Sequence, residues 1–220
     1  MSDKKQKKPW PTKAAMEQIY EQHLWGGDHR MFYSGDGSHD PNLVKPYITA
    51  ASQFLKSFET PLTVCDLGCG DFNVGRQLAP YTKKYIGVDI VENLIEHNQN
   101  TYANENIRFH CLDIAQDDIP QADCAILRQV LQHLSNEEIK RVVRKLKDFK
   151  HLILTEHLPE GDFIPNVDII SGQGIRLKKQ SGLDLLVPPF ELKIIEAKEL
   201  VSTPYRDGKG VIKTSYYRIF

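Results

Sequence analysis

The chain has 220 residues, of which 40% are hydrophobic and 26% charged, a composition that argues against a disordered protein. This length suits one domain with an ordinary hydrophobic core. The formal net charge of −1 argues against a global nucleic-acid-binding field. No apolar run approaches the ~20 residues that a membrane-spanning helix needs.

The N-terminus and the cysteines indicate the compartment. Residues 1–11 carry four lysines and predict a flexible basic tail, but no apolar segment follows, so this is not a secretory signal. The cysteines, Cys65, Cys69, Cys111 and Cys124, fall in or beside predicted buried strands and are expected to be free thiols. Their spacing does not match a zinc site. The sequence therefore predicts a cytoplasmic protein without a metal.

Residues 12–58 are predicted to form an N-terminal cap and the first long helix. A helix begins near Thr12, and a glycine- and aromatic-rich stretch, residues 25–38, follows it. That stretch is either a flexible loop or a lid that closes over a ligand. Apolar residues at helical spacing then predict a helix over residues 44–58. Its regular part is expected to begin only at Pro46, because proline lacks a backbone donor.

A strand that runs into an acid and two glycines follows the first long helix. The acid is Asp66 and the glycines are Gly68 and Gly70; without a Cβ, glycine lets backbone N–H groups approach a ligand. The next predicted strand ends in Asp89, which lies 21 positions after Gly68. A ribose-binding carboxylate is expected ~20 positions on. The pattern predicts a nucleotide-binding βαβ unit, with a plain tight turn as the alternative.

The ligand of such a turn could be a dinucleotide or another adenosine compound. A dinucleotide site expects a third glycine where this chain has Asn73. Asp66 would repel a pyrophosphate but could accept hydrogen bonds from an ammonium group. S-adenosylmethionine has that ammonium, a sulfonium charge and no phosphate. The residues therefore favour S-adenosylmethionine.

The rest of the chain alternates predicted strands and helices. Helices are predicted at residues 74–81, at residues 91–102 and after a capping box at residues 135–138, and strands at residues 107–114, 123–127 and 151–157. A polar insertion, residues 159–190, precedes two last strands, residues 191–197 and 214–220. This order predicts a doubly wound α/β fold with a seven-stranded, mostly parallel sheet, an antiparallel last strand and an N-terminal helical cap. Residues 12–220 are predicted to form a single domain.

The segment Asp66-Leu67-Gly68-Cys69-Gly70 resembles the first motif of the class I S-adenosylmethionine-dependent methyltransferases. More narrowly, the chain resembles a bacterial and plant subgroup with a Ser-Gly-x-Gly-Ser lid motif. The matching segments are residues 34–38, 127–134, 168–176 and 189–190, with Gln129 in place of an acid of the subgroup. Some bacterial members of that subgroup are associated with surface-glycan biosynthesis. The resemblance therefore implies a small, sugar-like or phosphorylated acceptor.

The superfamily resemblance also implies a cofactor site for S-adenosylmethionine and its product S-adenosylhomocysteine. The backbone of the glycine turn would approach the cofactor, one acid would lie near its ammonium and another would bind its ribose hydroxyls. Two apolar residues would flank the adenine. A third acid would accept from the adenine amino group, unless it is only a turn residue. These implied residues are, in chain order, Asp66, Gly68, Cys69, Gly70, Asp89, Ile90, Asp113 and Ile114, with Gln129 near the methionine end.

The predicted acceptor side contains two histidines, two aromatic residues and an arginine. His133 follows strand four and His157 ends strand five, so both lie at the carboxyl edge where ligands bind. Each could accept a proton from a hydroxyl, although His133 could equally be structural. Arg176 could clamp an anionic acceptor, unless it belongs to a solvated basic loop. Trp25 and Tyr33 are expected to contact the acceptor when the lid closes.

Three functions compete on these observations. The leading hypothesis is a small-molecule methyltransferase that acts on oxygen. The second is a methyltransferase that acts on RNA or protein, although the near-neutral charge argues against RNA. The third is a non-catalytic adenosine-binding module. The expected partner is a small-molecule acceptor and neither a membrane nor a nucleic acid, and the sequence makes no prediction of oligomeric state.

Overall fold

The computed structural model of the protein describes residues 10–27, 32–206 and 208–220, so the first nine residues of the predicted tail lie outside the described residues. Seven strands form one sheet in the order β3-β2-β1-β4-β5-β9-β8, and β6 pairs with β7 in a separate two-stranded sheet. The strands are β1 (Thr63–Leu67), β2 (Lys84–Asp89), β3 (Ile107–Cys111), β4 (Cys124–Arg128), β5 (His151–Leu158), β6 (Ile164–Pro165), β7 (Ser181–Gly182), β8 (Glu196–Pro204) and β9 (Val211–Arg218).

The direction of the strands confirms the predicted sheet. Strands β1 to β5 are parallel, whereas β9 is antiparallel to both of its neighbours, β5 and β8. The chain order runs outward from β1 to β3 on one side and from β4 to β5 on the other, so it reverses between β1 and β4. In an open α/β sheet, ligands bind outside the carboxyl ends of the strands at such a reversal.

Helices surround the sheet. They are α1 (Thr12–Glu21), α2 (Asp36–His39), α3 (Pro41–Lys56), α4 (Gly75–Leu78), α5 (Glu92–Tyr102) and α6 (Asn136–Leu146), with 3₁₀ turns at Ala79–Tyr81, Leu131–His133 and Arg176–Lys179. Within the described ranges, no helix combines the length and the apolar character that crossing a membrane requires.

Both faces of the large sheet are covered, as a doubly wound fold requires. On one face, α3 packs Leu55 into the same apolar cluster as Val64 of β1. On the other face, α6 packs Val142 into the cluster that contains Leu127 of β4. Helix α6 begins at the predicted capping box, because the side chain of Ser135 accepts from the third backbone N–H of the helix.

The predicted start of the first long helix at Pro46 is wrong. Helix α3 begins at Pro41, whose ring suits a first helical position, and the carboxylate of Asp40 accepts from the N–H of Asn42 at 2.9 Å. Pro46 lies inside the helix and leaves one backbone hydrogen bond unmade. Burial of neighbouring residues such as Tyr47 stabilises the helix despite the missing hydrogen bond.

The first of the two C-terminal strands lies further along the chain than predicted. Residues 191–195 are not in a strand, because the N–H of Leu192 donates to the carbonyl of Leu185 at 2.8 Å and the side chain of Leu192 enters the core. Strand β8 begins only at Glu196, and the antiparallel pairing of the last two strands is as predicted.

The structure also corrects the prediction for one cysteine. Cys65, Cys69 and Cys124 are buried free thiols, whereas Cys111 is exposed. Strand β3, in which Cys111 lies, is an edge strand of the sheet, so it is less covered than the central strands.

Candidate active site

Two glycines tighten the loop after β1. Gly68 has φ +87° and Gly70 has φ +55°, conformations that favour glycine. A Cβ atom at Gly68 would overlap the side chain of Val130, and one at Gly70 would overlap that of Ser34. The glycines therefore let neighbouring segments close directly onto this loop, which we call the glycine loop (residues 68–71).

Asp89, the last residue of β2, faces the glycine loop. One carboxylate oxygen accepts from the N–H of Gly70 at 3.1 Å, and the other accepts from the N–H of Val91 at 3.1 Å. Burial raises the pKa of Asp89, and these backbone donors oppose that rise. Each oxygen has a second lone pair, so Asp89 can accept two further hydrogen bonds from neighbouring hydroxyls.

Asp66 is a buried acid in β1. Its Oδ2 accepts a hydrogen bond from the hydroxyl of Tyr85 at 2.7 Å. Burial raises the pKa of Asp66 to about 6, against the opposing effects of the Tyr85 hydrogen bond and the charge of Arg128. A cation bound beside Asp66 would favour its ionised form.

A cavity of about 430 Å³ lies at the carboxyl ends of the central strands. It is lined by most of the residues that the sequence analysis singled out, and their individual roles stay predictions. Those residues are Trp25, Asp66, Gly68, Cys69, Gly70, Asp89, Ile90, Asp113, Ile114, Gln129, His133 and His157. Among the residues that the structure describes, no group of three or more His, Cys, Asp or Glu side chains could hold a metal ion.

Asp113 lines the cavity from the turn after β3. Its carboxylate accepts from the N–H of Ala115 at 2.8 Å and from Nε2 of Gln116 at 2.6 Å. These bonds are those of a turn residue. Each oxygen still has a lone pair for a further donor, so the turn does not conflict with a ligand contact.

His133 lies in the 3₁₀ turn after β4. Its Nδ1 lies 3.1 Å from the carbonyl of Gly172, and its Nε2 lies 3.2 Å from Nε2 of Gln132. A neutral ring satisfies both contacts, because Nδ1–H donates to the carbonyl and the lone pair of Nε2 accepts from the amide. Burial lowers the pKa of His133 to about 4. The imidazole ring of His133 packs against the ring of Trp25, with 5.3 Å between centroids. Gln132 therefore occupies the lone pair of His133, and Trp25 covers a face of its ring.

His157 lies near the end of β5, and the lone pair of its neutral ring is on a different nitrogen from that of His133. Its Nε2 lies 2.8 Å from the carbonyl of Lys209 and acts as the donor, which leaves the lone pair of the neutral ring on Nδ1. Burial lowers the pKa of His157. The ring of Tyr205 contacts it edge-on at 4.5 Å between centroids.

Gln132 joins the two histidines and was not predicted from the sequence. Its Oε1 accepts from the backbone N–H of His157 at 3.0 Å, while its amide nitrogen contacts His133. Its own backbone N–H donates to Glu156 Oε2 at 3.1 Å, and burial raises the pKa of Glu156 to about 8. A glutamine next to a histidine is not a recognisable sequence motif, so the link between the two histidines is visible only in the structure.

The anion-clamp prediction for Arg176 is wrong. Its side chain is 2% exposed and does not line the cavity. The guanidinium donates to the carbonyls of Leu131 at 3.2 Å and Leu134 at 2.9 Å, and to Oδ1 of Asn136 at 2.7 Å. These acceptors take the donors that a phosphate would need. Arg176 therefore ties the insertion to the turn after β4.

The predicted acceptor contact of Tyr33 is also wrong, because Tyr33 does not line the cavity. Its hydroxyl donates to Asp36 Oδ1 at 2.8 Å, and its ring stacks on His39 at 4.2 Å between centroids. His39 in turn lies 2.6 Å from Oδ2 of Asp71 in the glycine loop. Tyr33 thus supports α2, and α2 is held to the loop.

The cap segment, which we define as residues 32–39, is closed over the glycine loop. The N–H of Ser34 donates to Asp71 at 2.9 Å, and the N–H of Asp71 donates back to the hydroxyl of Ser34 at 2.8 Å. Asp36 forms an ion pair with Arg206 of the loop between β8 and β9. The predicted lid also included residues 28–31, which lie outside the described residues.

The sheet order, with five parallel strands and an antiparallel β9 between β5 and β8, is that of the Rossmann-like methyltransferase fold. Residues 64–149 match the family model described as "Methyltransferase domain". That stretch runs from the second residue of β1 to just past α6 and contains all nine predicted cofactor residues.

Solved structures share the fold at low sequence identity. The N-methyltransferase NodS from Bradyrhizobium japonicum, solved with S-adenosylhomocysteine, is 15% identical, with a TM-score of 0.67 over 93% of this chain and 98% of that one. Magnesium protoporphyrin IX methyltransferase from Synechocystis, solved with bound S-adenosylmethionine, is 18% identical, with a TM-score of 0.58 over 96% of this chain and 99% of that one.

A curated relative matches part of the chain. It is an uncharacterized RNA methyltransferase from Chlamydia pneumoniae, 25% identical in an alignment of 159 residues that covers 65% of this chain. The match spans only 39% of that relative's length. The relative's name therefore describes a protein of which this chain resembles less than half.

Proposed function

We propose that the protein transfers the methyl group of S-adenosylmethionine to a hydroxyl of a small-molecule acceptor and releases S-adenosylhomocysteine. The observation that carries this proposal is one cavity with two chemically different sides. One side holds the glycine loop with Asp66 and Asp89, and the other holds His133 and His157. The first side suits an adenosine linked to an amino acid, and the second can receive an acceptor hydroxyl.

The cofactor side fits its proposed ligand. The remaining lone pairs of Asp89 would accept from the two ribose hydroxyls, and those of Asp113 would accept from the adenine amino group. Ile90 and Ile114 line the same part of the cavity and would flank the adenine. When bound, the cofactor supplies an electrophilic methyl group on a sulfonium. The protein has to align the acceptor, exclude water and receive a proton.

His157 is the stronger of the two candidate bases. The lone pair of His133 accepts from Gln132, so His133 would have to break that bond before it took a proton. The lone pair of His157 is on Nδ1, because its Nε2–H donates to the carbonyl of Lys209. We therefore assign proton acceptance to His157 and positioning of the acceptor wall to His133.

The acceptor side favours an uncharged, sugar-like ring over a phosphorylated compound. The rings of Trp25 and Tyr205 line it together with the two histidines. Such amphipathic rings offer an apolar face and a polar edge to a small hydroxylated ligand. Arg176, the group that would have held a phosphate, is engaged with carbonyls outside the cavity. The association with surface-glycan biosynthesis and the cytoplasmic location stay part of this proposal.

Isothermal titration calorimetry tests the cofactor, and a labelled-methyl screen tests the acceptor. Folded protein should bind S-adenosylmethionine and S-adenosylhomocysteine but not a nicotinamide dinucleotide. In the screen, neutral sugars should take up label, whereas sugar phosphates, nucleotide-linked sugars and RNA should not. Binding of the dinucleotide alone would overturn the cofactor assignment. Label transfer to RNA but to no small molecule would overturn the acceptor assignment.

A further inference from the structure

Arg128 is a cation that lines the cavity and for which the sequence analysis predicted no role. It ends β4, and its guanidinium lies over the ring of Tyr47 of α3 at 4.7 Å from the centroid. Its Nη2 donates to the carbonyl of Gly37 at 2.5 Å, and its Nη1 makes a longer contact of 3.3 Å with Oε1 of Gln129. The side chain lines the cavity.

The guanidinium of Arg128 forms no direct salt bridge with any described residue. Its acceptors are a carbonyl and an amide, both neutral, and no described acid lies within 4.0 Å of it. Its Nε is buried and has no hydrogen-bond partner in the described part of the chain. A half-buried guanidinium with an unpartnered Nε and no direct ion pair is suited to receive an anion.

Asp66 places a negative charge beside this cation. In the register of β1 and β4, Asp66 lies opposite Ile126, and Arg128 is two residues further along on the same face of the sheet. The charge of Arg128 opposes the rise in the pKa of Asp66, and the charge of Asp66 opposes the fall in the pKa of Arg128. The cavity therefore has a positive and a negative group side by side at the ends of adjacent strands.

We propose that Arg128 binds the carboxylate of the methionine part of the cofactor while Asp66 binds its ammonium. An α-amino acid carries those two charges on one carbon, and the adjacent cation and acid of the cavity complement both. This assignment rests on the proposed function. It adds a binding residue outside the glycine loop, and it predicts that the protein distinguishes ligands by their carboxylate.

The test compares two ligands that differ in one group. S-adenosylhomocysteine carries the carboxylate, and 5′-(3-aminopropylthio)-5′-deoxyadenosine keeps the adenosine, the sulfur and the ammonium but lacks it. Calorimetry on the wild-type protein should show binding of S-adenosylhomocysteine about 10–100-fold tighter, as expected for charge-assisted hydrogen bonds. This comparison needs no variant, so it does not depend on the folding of a mutant.

Variants locate the effect. Arg128→Gln should weaken S-adenosylhomocysteine by about 10–100-fold and leave the decarboxylated ligand nearly unchanged. Arg128→Lys, which keeps the charge, should lose less affinity for S-adenosylhomocysteine than Arg128→Gln does. Arg144→Gln on the exposed side of α6 is the matched control and should change neither affinity.

Each outcome decides the assignment. Equal loss of both ligands in Arg128→Gln would mean that Arg128 acts through Gly37 and the cap segment, and would overturn it. Equal affinity of the wild-type protein for both ligands would overturn it as well, while leaving the proposed function intact. Failure of the wild-type protein to bind S-adenosylhomocysteine at all would instead overturn the proposed function and the assignment together.

Discussion

On the proposed cofactor assignment, the ionisation of the buried Asp66 carboxyl should determine when the cavity holds an ammonium. Its pKa of about 6 in the free protein lies above the ordinary value of 3.8 because the group is buried. Below pH 6 the carboxyl is mostly protonated and neutral, and above pH 6 it is mostly ionised. A ligand ammonium requires the ionised form, so ligand affinity should increase as the pH rises through this range.

We expect the affinity for S-adenosylhomocysteine to be about tenfold lower at pH 5 than at pH 7, since one pH unit below the pKa leaves about a tenth of the carboxyl ionised. Calorimetry between pH 5 and pH 7 measures this change in affinity. Asp66→Asn should bind weakly and without this pH dependence, while Asp118→Asn, at an exposed position, should behave like the wild type. A flat profile in the wild-type protein would contradict the role of Asp66.

Substitution of the two histidines should affect different kinetic constants. His157→Ala should lower kcat by about 10²–10⁴-fold, the range for loss of a general base, with little change in cofactor affinity. His133→Ala should affect the acceptor KM more than kcat, because its lone pair is held by Gln132. The reverse pattern would exchange their roles. If neither variant is impaired, the proton passes to another group or to water.

At the scale of elements, we expect the cap segment to move when a ligand enters. It is held by the reciprocal hydrogen bonds between Ser34 and Asp71 and by the contact of Arg128 with Gly37. Small glycine-rich segments rearrange readily, and closure over a ligand excludes water. We expect the cap segment to be the lid, and its closed form to be the one that retains the cofactor.

Hydrogen exchange tests this lid. Exchange at residues 32–39 should slow when S-adenosylhomocysteine is added, while exchange in α6, away from the lid, should stay constant. Ser34→Ala, which removes one of the two reciprocal bonds, should raise exchange in the free protein and speed ligand release. Identical exchange with and without ligand would show that the segment does not act as a lid.

At this scale the limits of the sequence are also clear. The order of strands and the acids of β1 and β2 are local patterns, and they predicted the sheet and the place of those acids at its carboxyl edge. The hydrogen bonds that close the site join residues far apart in sequence, 37 positions for Ser34 and Asp71 and 91 for Gly37 and Arg128. No local pattern encodes such pairs. Arg176 looked like a loop cation because the carbonyls that bury it lie about 40 residues earlier in the chain.

For the whole molecule, Arg176 is a structural link and not a ligand group. It joins the insertion to the turn after β4 through several carbonyls and is almost fully buried. Arg176→Ala would leave those carbonyls without their donor, so we expect a loss of about 2–4 kcal/mol in the free energy of unfolding. Denaturant unfolding measures it.

The matched control for this prediction is Lys178→Ala, at an exposed position in the same 3₁₀ turn, which should change stability by less than about 0.5 kcal/mol. The stability of Arg176→Lys should lie between those of Arg176→Ala and Lys178→Ala, because lysine keeps the charge but lacks the planar guanidinium fork. Wild-type stability in Arg176→Ala, combined with a raised acceptor KM, would restore the clamp that the structure argues against.

The ion pair between Asp36 and Arg206 joins an early segment of the chain to a late one across the cavity mouth. During synthesis, the ribosome releases the cap segment long before the hairpin of β8 and β9 exists. Until that hairpin emerges, the edge of β5 has no partner on its outer side and the wall that carries Tyr205 is missing. The nascent protein can therefore complete its glycine loop early, but it gains an enclosed reaction chamber only when the final strands have been translated.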